Sequence, residues 1–320
     1  NIFSHSEMNV PGSHDYLYVS ANPNSPNKAV ITNYAEAGFF DVDGSTITRY
    51  DNSNSTLQLA PDGINYNLGD AQFDSDDNVW IANSRTANPL SVKTAAGDWQ
   101  SFYCGPGLLD ARFSELLIDS RGYKWMISPN DYGLIVYDDN DTPTDDSDDQ
   151  FTQFTGAVGS GGLPNSQIWS IAEDLDGQVW LGTEEGIAVV YNPSAIFDGG
   201  DYDAKEILIE QDGNIEILLG AERVRAIVVD GANRKWIGTF NSGVYCFSPD
   251  GLEQIFHFTE ENSALFSNTI NDIQINQQTG EVLIATEKGL LGYKSDATVG
   301  VLDYVDVYAY PNPVRPTYSG

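Results

Sequence analysis

The sequence predicts an all-β protein folded as a β-propeller of four-stranded blades. The first observation behind this is the stretch Asp174-Leu175-Asp176-Gly177-Gln178-Val179-Trp180-Leu181-Gly182-Thr183. It reads as a strand end, a tight turn and a second strand. Asp bonds backbone two residues on, Gly accepts positive φ, and Val-Trp-Leu is bulky and β-prone. The second is its recurrence at Asp76–Ala82, Asp119–Met126 and Asp230–Thr239, with weaker copies at Lys28–Thr32 and Thr279–Thr286. The third is spacing: Trp80, Trp125, Trp180 and Trp236 are 45, 55 and 56 residues apart, and Leu283 follows by 47. A period of roughly 40–55 residues with several strands per unit marks a propeller.

The repeat divides into strands in chain order. Blade one takes Tyr16–Val19, Ala29–Thr32, Gly38–Val42 and Thr46–Tyr50. Blade two takes Ala71–Phe73, Val79–Ala82, Ser91–Lys93 and Trp99–Phe102. Blade three takes Glu115–Ile118, Lys124–Ile127, Gly133–Tyr137 and Phe151–Phe154. Blade four is the most regular, with Ile168–Glu173, Val179–Thr183 and Gly186–Tyr191. Its outer strand falls within Lys205–Leu219, where Gln211-Asp212-Gly213-Asn214 suggests an added hairpin. Blade five takes Val224–Val229, Lys235–Thr239, Gly243–Phe247 and Gln254–Phe258. Blade six shows Ile270–Ile275, Val282–Thr286 and Gly289–Tyr293.

The fourth strand of blade six is sought at the other end of the chain. Asn1-Ile2-Phe3-Ser4-His5, followed by Asn9-Val10-Pro11-Gly12, aligns with Ile255–Phe258 followed by Leu265–Asn268. The N-terminal segment is therefore expected to be the outer strand closing the last blade, which would protect an otherwise open end. The motif count is six blades, or seven if one blade is degenerate. The propeller spans residues 1–300. After Gly300, Val301–Tyr310 alternates like a strand and Pro311-Asn312-Pro313 breaks it, so residues 301–320 read as the start of a second, truncated domain. With Asn at the first position and an abrupt end, the chain reads as a piece of a longer protein.

Forty-seven acids against 15 bases give a formal charge of −32, which argues against nucleic acid, whose phosphates demand Lys and Arg. The same balance argues against generic adhesion to an anionic membrane. Cys104 and Cys246 fall in different repeats, and a disulfide needs Cα atoms within about 7 Å, so both are expected free.

The stretch from Ile168 through Gly186-Ile187 closely resembles the two-component regulator propeller repeat, found in periplasmic sensor regions of Bacteroidetes hybrid histidine kinases and in other envelope proteins of that phylum. The resemblance covers roughly residues 15–295. The tail Tyr308-Ala309-Tyr310-Pro311-Asn312-Pro313-Val314-Arg315-Pro316 resembles the opening of the C-terminal sorting domain of type IX secretion cargo, a β-sandwich. Together these are similar to the PorZ-like surface proteins of type IX secretion. That resemblance implies a non-enzymatic scaffold at the cell surface, on the extracellular face of the outer membrane. It also implies a PorU-like sortase and other attachment-complex proteins as partners, and anionic lipopolysaccharide presented for attachment to cargo. The alternative is a periplasmic glycan-sensing propeller of a hybrid two-component system.

No catalytic residues are assigned. His5, His14 and His257 are too scattered for a zinc site, and with 47 acids some carboxylate pair is inevitable. The candidate site is the funnel at one mouth of the channel, where the loops entering each inner strand place Arg112, Asn165, Gln167, Trp169, Arg223, Arg225 and Asn268. Arginine forks suit an anionic sugar or phosphate; the competing reading pairs them with Glu222 and Glu115. Trp80, Trp125, Trp180 and Trp236, fixed in the second strand, are expected to pack between blades. No cofactor is expected. The weak metal candidate is the loop carrying Asp138, Asp139, Asp141, Asp145, Asp146 and Asp148, where calcium is the ion left open. That loop lacks EF-hand order, which favours a solvated loop.

Overall fold

A computed structural model describes residues 15–298 apart from Asp212. The expected N-terminal closing strand and the 301–320 segment, with His5 and His14, lie outside the described residues. Six antiparallel sheets follow one another along the chain. The first is β1 (Tyr16–Ala21), β2 (Lys28–Asn33), β3 (Phe39–Asp43) and β4 (Thr46–Tyr50). The second is β5 (Leu68–Phe73), β6 (Val79–Asn83), β7 (Leu90–Lys93) and β8 (Trp99–Phe102). The third is β9 (Leu116–Ile118), β10 (Lys124–Ile127), β11 (Leu134–Asp138) and β12 (Gln150–Phe154).

The fourth sheet is β13 (Ile168–Glu173), β14 (Val179–Thr183), β15 (Gly186–Val190) and the two-residue β16 (Lys205–Glu206). A one-turn helix, α1 (Ala195–Asp198), sits in the insertion between β15 and β16, and a separate hairpin follows, β17 (Leu208–Gln211) and β18 (Asn214–Ile217). The fifth is β19 (Val224–Val229), β20 (Lys235–Thr239), β21 (Val244–Phe247) and β22 (Gln254–Phe258). The sixth is β23 (Ile270–Asn276), β24 (Glu281–Thr286) and β25 (Gly289–Lys294). Five sheets thus have four strands and the sixth has three among the described residues. In each sheet the chain runs from the inner strand outward, as a propeller requires.

The recurring turn is built from one side chain. Asp174 Oδ1 accepts from the N–H groups of Asp176 (3.0 Å) and Gln178 (2.9 Å), while Oδ2 accepts from Trp180 Nε1 at 3.0 Å. Trp80, Trp125 and Trp236 are bonded the same way to Asp74, Asp119 and Asp230, at 2.9, 3.0 and 3.0 Å. The residue that takes positive φ is third after the Asp: Gly177, Gly122, Asp77 and Asn233. In the fifth blade the left-handed position is therefore Asn233 and not Gly231. Gly182 is required for another reason, since a Cβ there would lie 2.6 Å from Val224 in the next inner strand.

Each sheet must cover its apolar faces, and it does so against its neighbours. Five clusters result, one per junction from the first and second sheets to the fifth and sixth. The four tryptophans sit in them at no more than 1% exposure. Each junction also carries a cation. Lys93 pairs with Asp41, Lys124 lies over the Trp80 ring, Arg121 meets Glu173, Lys235 meets Asp174, and Arg234 reaches Asp296.

The faces that the first and sixth sheets turn toward each other are different. Val19 is 71% exposed, whereas its counterparts by register, Ala71, Leu116, Ile171, Ile227 and Ile273, are 0–8% exposed. Leu283, in the tryptophan position of β24, is 37% exposed, and Leu290 is 65% exposed. Cys104 and Cys246 are buried and free.

Candidate functional site

The inner strands β1, β5, β9, β13, β19 and β23 stand side by side in chain order around a central channel. Their pairing with the second strand slips by one residue near the start. The register passes over Trp169 in β13, Arg225 in β19 and the position after Ile270 in β23, with the same irregularity in β1 and β5. A bulge of this kind turns one side chain out of the pleat. Here it aims Trp169 and Arg225 toward the same mouth.

There the side chains form a compact cluster. The Arg223 guanidinium lies 4.7 Å from the Trp169 ring centroid and 4.8 Å from that of Phe240; Arg225 lies 5.5 and 5.7 Å from the same two rings. Glu184, in the β14–β15 turn, holds Arg223 with two bonds of 2.6 and 2.7 Å and also accepts from Trp169 Nε1 at 2.9 Å. The Arg223 fork holds the Glu184 carboxyl below its ordinary range. Arg223 is therefore neutralised, by Glu184 and not by Glu222, which accepts from Ser242 Oγ instead. Arg225 forms no ion pair among the described residues. Burial, and then the neighbouring Arg223 charge, lower its pKa.

The other funnel residues are placed around this cluster. Gln167 gives its carbonyl to Glu184 N–H and its amide to Asp131, and Asn165 Oδ1 caps Gln167 N–H. Asn268 is engaged with Glu260 through both its backbone N–H and its Oδ1. Arg112 is exposed, and its backbone N–H donates to Asn130. Neither Arg112 nor Asn268 touches the Trp169–Arg225 pair among the described residues.

Deeper in the channel, one residue beyond the bulge, lie Tyr18, Asp70, Glu115 and Asp272; of these only Glu115 was named from the sequence, as a partner for the funnel arginines. Asp70 is buried and accepts from Gln72 Nε2 (2.7 Å), Ala71 N–H (2.8 Å), Ser20 Oγ (3.3 Å) and Leu116 N–H (3.4 Å). Burial pushes its carboxyl up to about 6 despite those donors. Burial likewise raises Glu115 well above the usual carboxylate range, with the Asp70 and Asp272 charges adding to it. The Tyr18 phenol is raised by burial and then by Glu115, Asp70 and Asp272. The channel thus has an acidic wall beneath a mouth that carries a cation between two aromatic rings.

The acidic loop uses its own carboxylates. Asp139 pairs with buried Lys124, Asp145 Oδ1 caps Ser147 N–H at 3.1 Å, and Asp148 Oδ1 accepts from Thr142 Oγ1 at 3.1 Å. Among the described residues no three His, Cys, Asp or Glu side chains are grouped as a metal ion would need. His257 stacks on Tyr245 at 3.9 Å and bonds the Ser242 carbonyl at 2.8 Å, a packing role.

Several solved structures are similar to this chain. The chain is similar to PorZ. PorZ is described as an essential bacterial surface component of the type-IX secretion system of Porphyromonas gingivalis. The match has a TM-score of 0.82 and 27% identity, and covers 97% of this chain and 43% of PorZ. The chain therefore spans less than half the length of that protein. Virginiamycin B lyase of Staphylococcus aureus matches with a TM-score of 0.58 and 14% identity over 88% of this chain and 85% of its own. A putative gluconolactonase matches at 0.53 and 9% over 90% of this chain and 91% of its own. Those two share the fold alone. Residues 162–185 match the family described as two component regulator propeller. A search of curated protein sequences returned no match.

Proposed function

We propose that this chain is a propeller of a PorZ-like surface protein in type IX secretion, acting outside the cytoplasm as a scaffold that binds and does not catalyse. The observation that carries this reading is the likeness to PorZ along 97% of the chain at 27% identity. Its partners are a PorU-like sortase and other attachment-complex proteins, and its glycan is anionic lipopolysaccharide. The channel mouth supplies the contact. Arg225 binds an acidic sugar or phosphate group through its guanidinium fork, and Trp169 and Phe240 offer faces for a sugar ring. Arg223 and Glu184 orient Trp169.

The test is titration of purified anionic lipopolysaccharide against wild type, Arg225→Gln and Trp169→Ala. Binding that falls in both variants supports the mouth as the site. Equal binding by all three contradicts it. The two component regulator propeller match at 162–185 favours a second reading, a glycan-sensing region of a hybrid two-component system. In that reading the same mouth binds an oligosaccharide and no sortase is captured.

A further inference from the structure

A separate cleft of about 510 Å³ opens between the fourth and fifth sheets and shares no residue with the mouth. Its floor is the edge of Trp180, and its walls expose Tyr191, Leu208 and Leu252 at 50%, 56% and 60%. One wall belongs to the β17–β18 hairpin, an element no other sheet has among the described residues. That hairpin bares a further apolar side chain, Ile215, at 76% exposure. Apolar surface displayed this way on a chain of charge −32 is unusual, because solvent-facing additions are normally polar.

The rim is acidic; Asp176 accepts from Asn233 Nδ2 at 3.0 Å and Asp250 from Ser248 Oγ at 2.6 Å, and both lie in the field of buried Lys235. Asp176, Glu206 and Asp250 are all exposed, and none is in an ion pair among the described residues. Lys235 is buried and makes its hydrogen bonds elsewhere: its Nζ donates to Asp174 Oδ2 at 3.0 Å, Asn233 O at 3.0 Å and Pro249 O at 2.5 Å. The cleft between the first and second sheets shows the opposite arrangement. There Lys93 and Lys28 stand 2.8 and 3.9 Å from Asp41 and Asp43, so its charge is satisfied internally.

We propose that the cleft between the fourth and fifth sheets is a docking groove for a basic segment of a partner polypeptide, a Lys or Arg flanked by apolar side chains. The carboxylates of Asp176, Glu206 and Asp250 take the cation, and Tyr191, Leu208 and Leu252 cover the flanking apolar groups. A polypeptide suits the site better than a small cation because the apolar surface continues past the cleft along the hairpin to Ile215. This inference stands apart from the mouth and from the glycan, and either can fail without the other.

The experiment is fluorescence anisotropy with a labelled peptide of alternating Lys and Leu, on wild type and three variants whose folding is checked by thermal melting. Tyr191→Ala/Leu252→Ala is expected to weaken binding about tenfold, the factor that about 1.4 kcal/mol represents. Glu206→Gln/Asp250→Asn is expected to weaken it severalfold. Asp145→Asn/Asp146→Asn/Asp148→Asn, in the distant acidic loop, is expected to leave it unchanged. The proposal is overturned if the peptide does not bind, if a Lys-only peptide or spermine binds as tightly, or if the loop variant loses as much as the cleft variants.

Discussion

Asp174 Oδ2 accepts from Trp180 Nε1 at 3.0 Å and from Lys235 Nζ of the next blade at 3.0 Å. One carboxylate thereby closes its own hairpin, fixes the blade's largest core side chain and pins the neighbouring sheet. The Lys235 ammonium also lies 4.5 Å from the Trp180 ring centroid, so all three groups share one buried junction.

Removing that carboxylate leaves a buried ammonium without its counter-charge, which costs about 3–5 kcal/mol. Asp74 makes the same turn and tryptophan bonds but no ion pair among the described residues, since Lys124 of the next blade pairs with Asp139. Urea unfolding should show Asp174→Ala well below Asp74→Ala, whose loss is about 1–3 kcal/mol. Equal losses would show that the inter-blade ion pair contributes nothing.

Trp180→Ala empties the core between the fourth and fifth sheets and is expected to cost about 3–5 kcal/mol. The same measurement checks it, and an unchanged midpoint would refute the packing role.

The channel acids set a pH dependence. Asp70 titrates near 6 in the folded chain against about 3.9 unfolded. Between those values the native state holds the extra proton, so stability falls as pH rises through this window. The span amounts to roughly 3 kcal/mol, and burial of Glu115 acts in the same direction. Asp70→Asn should flatten the fall in urea midpoint between those pH values. A variant that keeps the wild-type slope would contradict this account of Asp70.

The bared faces of the first and sixth sheets are open to a chemical test. In this chain Val19→Cys should react with a thiol reagent near the rate of a free thiol, while Ile171→Cys, at the equivalent buried position, should be protected. Protection at both sites would mean that the first sheet's face is covered.

Much of the fold was legible because each hairpin repeats the same chemistry. β13, β14, β19, β20 and β22 begin and end where Asp, Gly and the alternating apolar residues place them. The fourth blade's outer strand was legible only as lying within Lys205–Leu219, where β16 falls, and helix α1 was not, since one helical turn leaves no period to detect. Among site residues, Trp169 and Arg225 converge because consecutive inner strands carry them at the same bulge, and Arg223 joins them from just ahead of β19. The partner of Arg223 was misread: Glu184 is 39 residues away in the preceding blade's turn, whereas Glu222 is adjacent only in sequence. Although Glu115 was named as a partner for the arginines, its grouping with Tyr18, Asp70 and Asp272 was invisible for the same reason. Their meeting depends on closing strands from four blades around one channel, and a sequence with 47 acids gives no reason to select three of them.

Capture from an outer-membrane extract tests the proposed role most directly, with the wild-type chain and the Arg225→Gln variant immobilised side by side. The account predicts that wild type recovers a PorU-like sortase together with anionic lipopolysaccharide, and that the variant loses the lipopolysaccharide. Recovery of neither by the wild-type chain would contradict it.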